Sequence, residues 1–170
     1  MLSKRDVNRV HQARTQARFI FSALLVLLMA PGCKKKTDAA SNVHLTDVAA
    51  RALFPEIYGS FARSSFARHE RDNDWVEYRG EYLRGTQTLK ITIDDVLSEA
   101  SPEWNDEMQA SDLTVAGHPA RVMGSRANQR LSVAIGQRFR VSFRMANTTA
   151  RQIKALAGEF DYAGLEALAR

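Results

Sequence analysis

Polar and apolar residues alternate along Trp75–Leu83, with Val76, Tyr78 and Tyr82 on one side and Glu77, Arg79 and Glu81 on the other. That period of two predicts a half-buried strand. Gly85 marks a turn, after which Leu89–Asp94 alternates just as cleanly. Leu131–Ile135 and Phe139–Met145 flank Gly136-Gln137-Arg138 and predict a hairpin, whose register follows from the pattern. A two-residue loop would set Leu131, Val133 and Ile135 on one face with Ser142, Arg140 and Arg138. A three-residue loop sets them with Phe143, Val141 and Phe139, and burying one apolar face selects this loop or an equivalent bulge. The opposite face then carries Arg130, Ser132, Arg140, Ser142 and Arg144. Ser60–His69 is a strand of poorer alternation, and Ala120–Val122 opens another after a turn at Gly117-His118-Pro119. Ser101–Gln109 is mostly polar, a short helix or excursion.

Helices are expected at both ends of this block. Thr46 can cap one that runs to Leu53 and stops at Pro55. Thr149 and Gln152 have capping-box spacing ahead of a stripe of Ile153, Leu156, Ala157 and Phe160. Asp161 can cap a last turn or two in which Leu165 and Leu168 are buried. Strands in a block flanked by helices predict an α+β fold. The expected form is an antiparallel sheet of about five or six strands, with the N-terminal and C-terminal helices packed on one face. From Val115 to Leu168 the succession GHPARV, then LSVAIGQRFRVSF, then a capped helix ending FDYAGLEAL resembles small exported bacterial α+β domains and, more loosely, the PsbP-like fold. The resemblance covers about a third of the chain. It implies a fold and carries over no functional residue.

The N-terminal pattern is of another kind. Lys4, Arg5, Arg9, Arg14 and Arg18 stand against the single Asp6, and Phe19–Ala30 follows as an apolar run without charge. Pro31-Gly32-Cys33 and Lys34-Lys35-Lys36 come next. A basic region, a short apolar run and small residues predict a cleaved export signal. Even Phe19–Cys33 rises only ~22 Å as a helix, against a hydrocarbon core of ~30 Å.

This stretch resembles the lipobox of bacterial lipoproteins, with Gly32 ahead of a Cys33 that becomes the lipidated mature N-terminus. An ordinary signal peptidase reading Ala30-Pro31-Gly32 would cut the same bond. The cysteine favours the lipoprotein, because a lone exposed thiol in an oxidising compartment is a liability with no partner. The resemblance implies a diacylglyceryl group on Cys33, often with a third chain on the amine. Membrane lipid is thus the first expected partner, and Lys34–Lys36 would lie at the head groups. Lipoproteins without Asp directly after the cysteine usually go to the outer membrane, and Lys34 fits that pattern. The expected organisation is therefore a signal peptide over 1–32, a lipidated Cys33 and polar tether over 33–42, and one α+β domain over 43–170.

Composition sharpens this picture. One cysteine excludes a disulfide framework and Cys-cluster metal sites. The net charge of +5 divides unevenly. Met1–Cys33 has five basic residues and one acidic, Lys34–Asp38 three and one, and Ala39–Arg170 sixteen and seventeen. The basic character belongs to the export and tether regions, so no nucleic-acid partner is expected of the domain.

No nucleophile-elbow, P-loop, dinucleotide or HExxH motif occurs, and neither metal nor cofactor is expected. His44, His69 and His118 are scattered and read as solvated loop residues; Asp72-Asn73-Asp74 reads as a hairpin turn rather than a calcium loop. Asp94 and Asp95 are adjacent, point to opposite faces and read as solvated strand ends. Arg130, Arg140 and Arg144 are the one suggestive group. Glu77, Glu81 and Asp94 on neighbouring strands are expected to pair with them, and contact with an anionic surface or partner is the alternative. The resulting reading is a lipid-anchored, non-catalytic α+β domain that binds another envelope component, possible protein partners included. An enzyme assembled from distant residues and a ligand carrier with an apolar cavity stand as alternatives.

Overall fold

A computed structural model describes residues 43–72, 74–97, 108, 111 and 113–168. The export region, Cys33, the tether and all of Ser101–Gln109 except Met108 lie outside the described residues.

The alternation becomes one antiparallel sheet. Its strands are β1 (Ile57–Tyr58), β2 (Phe61–Asp72), β3 (Trp75–Arg84), β4 (Gln87–Val96), β5 (Leu113–Val115), β6 (His118–Ser125), β7 (Asn128–Ile135) and β8 (Phe139–Met145). They lie in the order β1-β2-β3-β4-β8-β7-β6-β5. The β7–β8 hairpin has the three-residue loop: Ile135 pairs with Phe139, Val133 with Val141 and Leu131 with Phe143. Gly136 takes up the left-handed conformation in that loop at φ +58°.

Burial separates the two faces. Tyr78, Tyr82, Leu89, Ile91, Ile93, Leu131, Val133, Phe139, Val141 and Phe143 point inward and are all buried. At ~1.5–3 kcal/mol for each large apolar side chain, this face is the main favourable term in folding. Among the described residues, the short helices α1 (Asp47–Ala52), α2 (Ala150–Ala157) and α3 (Tyr162–Leu168) lie against it. Ala50, Ile153, Ala157 and Leu165 join the same core. The Phe143 ring sits 6.4 Å from Tyr58 and 6.0 Å from Phe160. The Tyr58 hydroxyl donates to Leu156 O at 2.6 Å and the Tyr162 hydroxyl to Ala157 O at 2.9 Å. Gly80, between the two inward tyrosines of β3, leaves room for the Phe54 ring, since a Cβ there would lie 2.5 Å from Phe54 Cδ1.

The helix ends follow their side chains. Thr46 Oγ1 accepts from Ala49 N at 3.2 Å, and Thr149 and Gln152 close a full capping box. Asp161 Oδ1 accepts from Gly164 N at 2.8 Å ahead of α3. Leu165 is buried, but Leu168, the last described residue of α3, is 39% exposed.

The expected α+β class, with five or six strands, is corrected by this architecture. The sheet has eight strands and curls, strands hold 54% of the described residues, and the helices are only six, eight and seven residues long. The reason is physical. β1 and β5 have two and three residues, too few for any periodicity, and they form only because a long neighbour offers an open edge. Pro119 reads as a turn residue, yet it is the second residue of β6.

Candidate functional site

The outward face is polar, and strand register sorts its side chains into ranks. In the first, Glu81 of β3 lies opposite Lys90 of β4, Lys90 opposite Arg144 of β8, and Arg144 opposite Arg130 of β7. Three cations thus occupy directly registered positions on adjacent strands, about 4.8 Å apart in backbone spacing. In the second rank Thr92, Ser142 and Ser132 line up, with Arg79 at one end and Arg121 at the other. The third holds Glu77, Asp94 and Arg140. Like charges set directly opposite one another destabilise a sheet, a cost that the Glu81 carboxylate offsets at Lys90.

The ranks enclose an open groove of about 570 Å³. It is lined by six cations (Arg71, Arg79, Lys90, Arg130, Arg140 and Arg144) against two carboxylates, Glu77 and Asp94. Arg140 Nε donates to Asp94 Oδ2 at 2.8 Å, and Trp75 Nε1 to Asp94 Oδ1 at 3.2 Å. Lys90 Nζ lies 2.8 Å from Glu81. Arg130 donates to Ser142 Oγ at 3.1 Å, and that oxygen is 3.0 Å from Ser132 Oγ. Arg144 is exposed and makes no ion pair among the described residues.

The cross-strand pairing expected from the sequence therefore takes another form. Only Asp94 reaches one of the three arginines, Arg140. Glu77 is taken by Arg71 and Arg79 at 2.8 and 2.6 Å, and Glu81 by Lys90. Lys90, Arg71 and Arg79 were not singled out in the sequence; the alternation of Trp75–Leu83 and Leu89–Asp94 set Arg79 and Lys90 outward, whereas Arg71 lay beyond the strand expected over Ser60–His69.

Burial opposes the charge of Glu77, but the Arg71 hydrogen bond and the Arg79 and Arg71 charges outweigh it and hold its carboxyl below the usual glutamate range. An unfolded Glu77 takes up its proton first as pH falls, so the stability it contributes is present above its ordinary pKa. That contribution is lost as pH drops through the lower folded value. Thermal unfolding between about pH 5 and pH 2 should accordingly fall less steeply for Glu77→Gln than for the wild type, with the two curves converging at the acid end.

Asp94 and Asp95 do point to opposite faces, but neither is a solvated strand end: they are 4% and 0% exposed. Asp95 faces inward, where Arg138 donates to it from Nε at 2.7 Å and from Nη2 at 3.2 Å. Leu45 N donates to the same carboxylate at 2.8 Å, and His44 Nδ1 lies 3.3 Å away. Arg138 Nη2 also donates to Val43 O at 2.7 Å, and the Tyr78 hydroxyl donates to Leu45 O. These contacts clasp residues 43–45, where the chain enters the domain. His44 is thus 15% exposed, and His118, 18% exposed, packs 5.3 Å from the Tyr162 ring; neither is the solvated loop residue expected. His69 is exposed on β2, and Asp72 and Asp74 form the expected turn, with Asp74 N donating to Asp72 Oδ1 at 3.0 Å.

No three His, Cys, Asp or Glu side chains among the described residues are grouped to hold a metal ion, and no helix among them is long and apolar enough to cross a membrane. The fold and face define a mostly-β domain with a zoned, cation-rich outer surface. Compared with protein families, curated proteins and solved structures, the chain finds no match in any of the three.

Proposed function

We propose that the chain is a lipid-anchored protein of the bacterial cell envelope, held through acylated Cys33 on the periplasmic side, at the outer rather than the inner membrane. Its domain is a non-catalytic module that binds an anionic envelope component through Arg130, Arg140, Arg144 and the cations beside them. The observation that carries this reading is the registered Lys90–Arg144–Arg130 rank in a domain whose overall charge is nearly neutral. Like charges gathered in register on one face of a near-neutral chain suit an anionic partner. Binding rather than proton transfer fits the groove as well: Glu77 is held ionised, unsuited to donate a proton at neutral pH. The anchor supports the same reading. Cys33–Asn42 reaches at most about 35 Å when fully extended, so an envelope ligand within that distance is met at high effective concentration.

The test is retention of the purified mature chain on isolated envelope fragments in rising salt. Retention should be strong at low ionic strength and be lost towards about 1 M salt, where the screening length falls to about 3 Å. Arg130→Gln/Arg144→Gln should weaken it at least tenfold at low salt, while the charge-matched Arg151→Gln/Lys154→Gln on α2 should not. Equal retention by both double variants, or none by the wild type, overturns the reading.

A further inference from the structure

We propose that the end of the sheet remote from the clasp at residues 43–45 rests on an anionic lipid bilayer, with Ile57 and Leu83 in the interface and Arg84 and Arg126 among the head groups. This corner adjoins the groove at Arg144 but does not depend on what the groove binds. Register sets its apolar part. Ile57 of β1 lies opposite Ala62 of β2, and Ala62 opposite Leu83 of β3. Their chain neighbours Tyr58, Phe61 and Tyr82 are buried in the core, so the row faces outward. Ile57 is 62% exposed and Leu83 45%. One exposed apolar side chain needs no explanation, but here three stand on adjacent strands at the edge of the sheet, about 4.8 Å apart in backbone spacing.

Cations surround the row. The connections at this end are Gly59-Ser60, Gly85-Thr86, Arg126-Ala127 and residues 146–149, and none contains an aspartate or glutamate. Arg84, Arg126, Arg144 and Arg151 stand in or beside them, and none of the four makes an ion pair among the described residues. Arg84 is held in place by neutral partners that leave its charge intact. It donates to Ser60 Oγ at 2.6 Å and from Nε to Gln87 Oε1 at 3.1 Å, and its guanidinium lies 4.4 Å from the centre of the Phe61 ring. Glu81 is taken by Lys90, while Glu56, next to Ile57 in the chain, and Glu159, beside Gly59, pair with none of these arginines.

Outward apolar side chains ringed by arginines match a bilayer interface. Apolar groups enter below the head groups there, and arginine stems reach back to the phosphates. The reach of the chain favours lipid over another partner. The tether Cys33–Asn42 spans at most about 35 Å, and β4, which runs between the two ends of the sheet, is ten residues or about 33 Å long. The corner can therefore touch the bilayer that holds Cys33. Acylation keeps the domain at high effective concentration on that surface, so a contact too weak to anchor the protein still sets how it rests.

The test uses the mature chain with Cys33→Ala, so the result does not depend on acylation. At low ionic strength it is mixed with vesicles of phosphatidylglycerol and phosphatidylethanolamine, or of phosphatidylcholine alone. Binding to the anionic vesicles should be at least tenfold tighter. Ile57→Ser/Leu83→Ser and Arg84→Gln/Arg126→Gln should each weaken it about tenfold, while Val48→Ser, 82% exposed on α1, should not. With the native cysteine gone, an environment-sensitive NBD dye can be attached at Leu83→Cys or at Val48→Cys. Its emission should move to the blue on anionic vesicles at the first position and stay unchanged at the second, a readout that stands even where a double variant fails to fold. Binding unchanged in both double variants, with no shift at Leu83→Cys, would assign it to Lys34–Lys36 and overturn the proposal. The groove reading would survive that result, since Arg130→Gln/Arg144→Gln tests it separately. Equal binding to phosphatidylcholine would overturn the anionic assignment. A dimer that Ile57→Ser/Leu83→Ser separates in sedimentation, without vesicle binding, would make the corner a contact between copies and overturn the lipid assignment.

Discussion

Replacing Asp95 with alanine is expected to lower the stability of the domain by about 3–5 kcal/mol, the usual result of removing one partner from a buried ion pair. The carboxylate is fully buried and takes two donor atoms of Arg138 and the amide of Leu45. Without it, Arg138, whose side chain is only 10% exposed, loses the carboxylate that takes two of its donors, and Leu45 N loses its acceptor. Residues 43–45 would then lose one of the contacts that hold them beside Tyr78 and Arg138, weakening the docking of Leu45, Ala50 and Phe54 on the core. Asp95→Asn keeps an acceptor for Leu45 N and should cost less. The double replacement Asp95→Leu/Arg138→Leu should recover much of the loss, because the penalty of the single change is the orphaned charge rather than the worth of the pair. Urea unfolding followed by tryptophan fluorescence measures all three. Additive losses in the double variant would mean that the two side chains act independently. For a domain of ordinary stability, about 5–15 kcal/mol, the single change alone threatens the fold.

That clasp shows where the sequence stops being legible. The β7–β8 register could be read because Leu131–Ile135 and Phe139–Met145 are neighbours in the chain, so one loop decides which side chains face inward. The capping box at Thr149 and Gln152 is more local still. Asp95 looked like a solvated strand end because its partners, Arg138 and Leu45, are 43 and 50 residues away. Nothing near Asp95 in the chain signals them. The groove is a mixed case. Alternation alone placed Arg130, Arg140 and Arg144 on the outer face, but Lys90 joins them only through the pairing of β4 with β8, strands separated by β5, β6 and β7 in sequence. The expected sheet fell short for a similar reason, since β1 and β5 exist only as edges laid against longer strands.

Cys33→Ala carries the second large expected effect, on location rather than stability. Each buried methylene of an acyl chain contributes about 0.8 kcal/mol, yet a single chain holds a protein only marginally, with a binding constant of about 10⁴ M⁻¹. The two or three chains that the lipobox resemblance implies would hold the domain firmly. The sulfur of Cys33 has no substitute, being the only cysteine in the chain. The alanine variant should therefore pass from the membrane pellet to the soluble fraction, or accumulate as unprocessed precursor. Lys34–Lys36 add about 1 kcal/mol each near an anionic surface and cannot restore attachment at physiological salt.

The account of a membrane-held binding domain turns most directly on that one bond, and the intact mass of the mature chain from its native envelope reads it. The account predicts a chain that begins at Cys33 and carries a diacylglyceryl thioether. A mature chain with an unmodified Cys33 thiol, recovered from the soluble fraction, would contradict it.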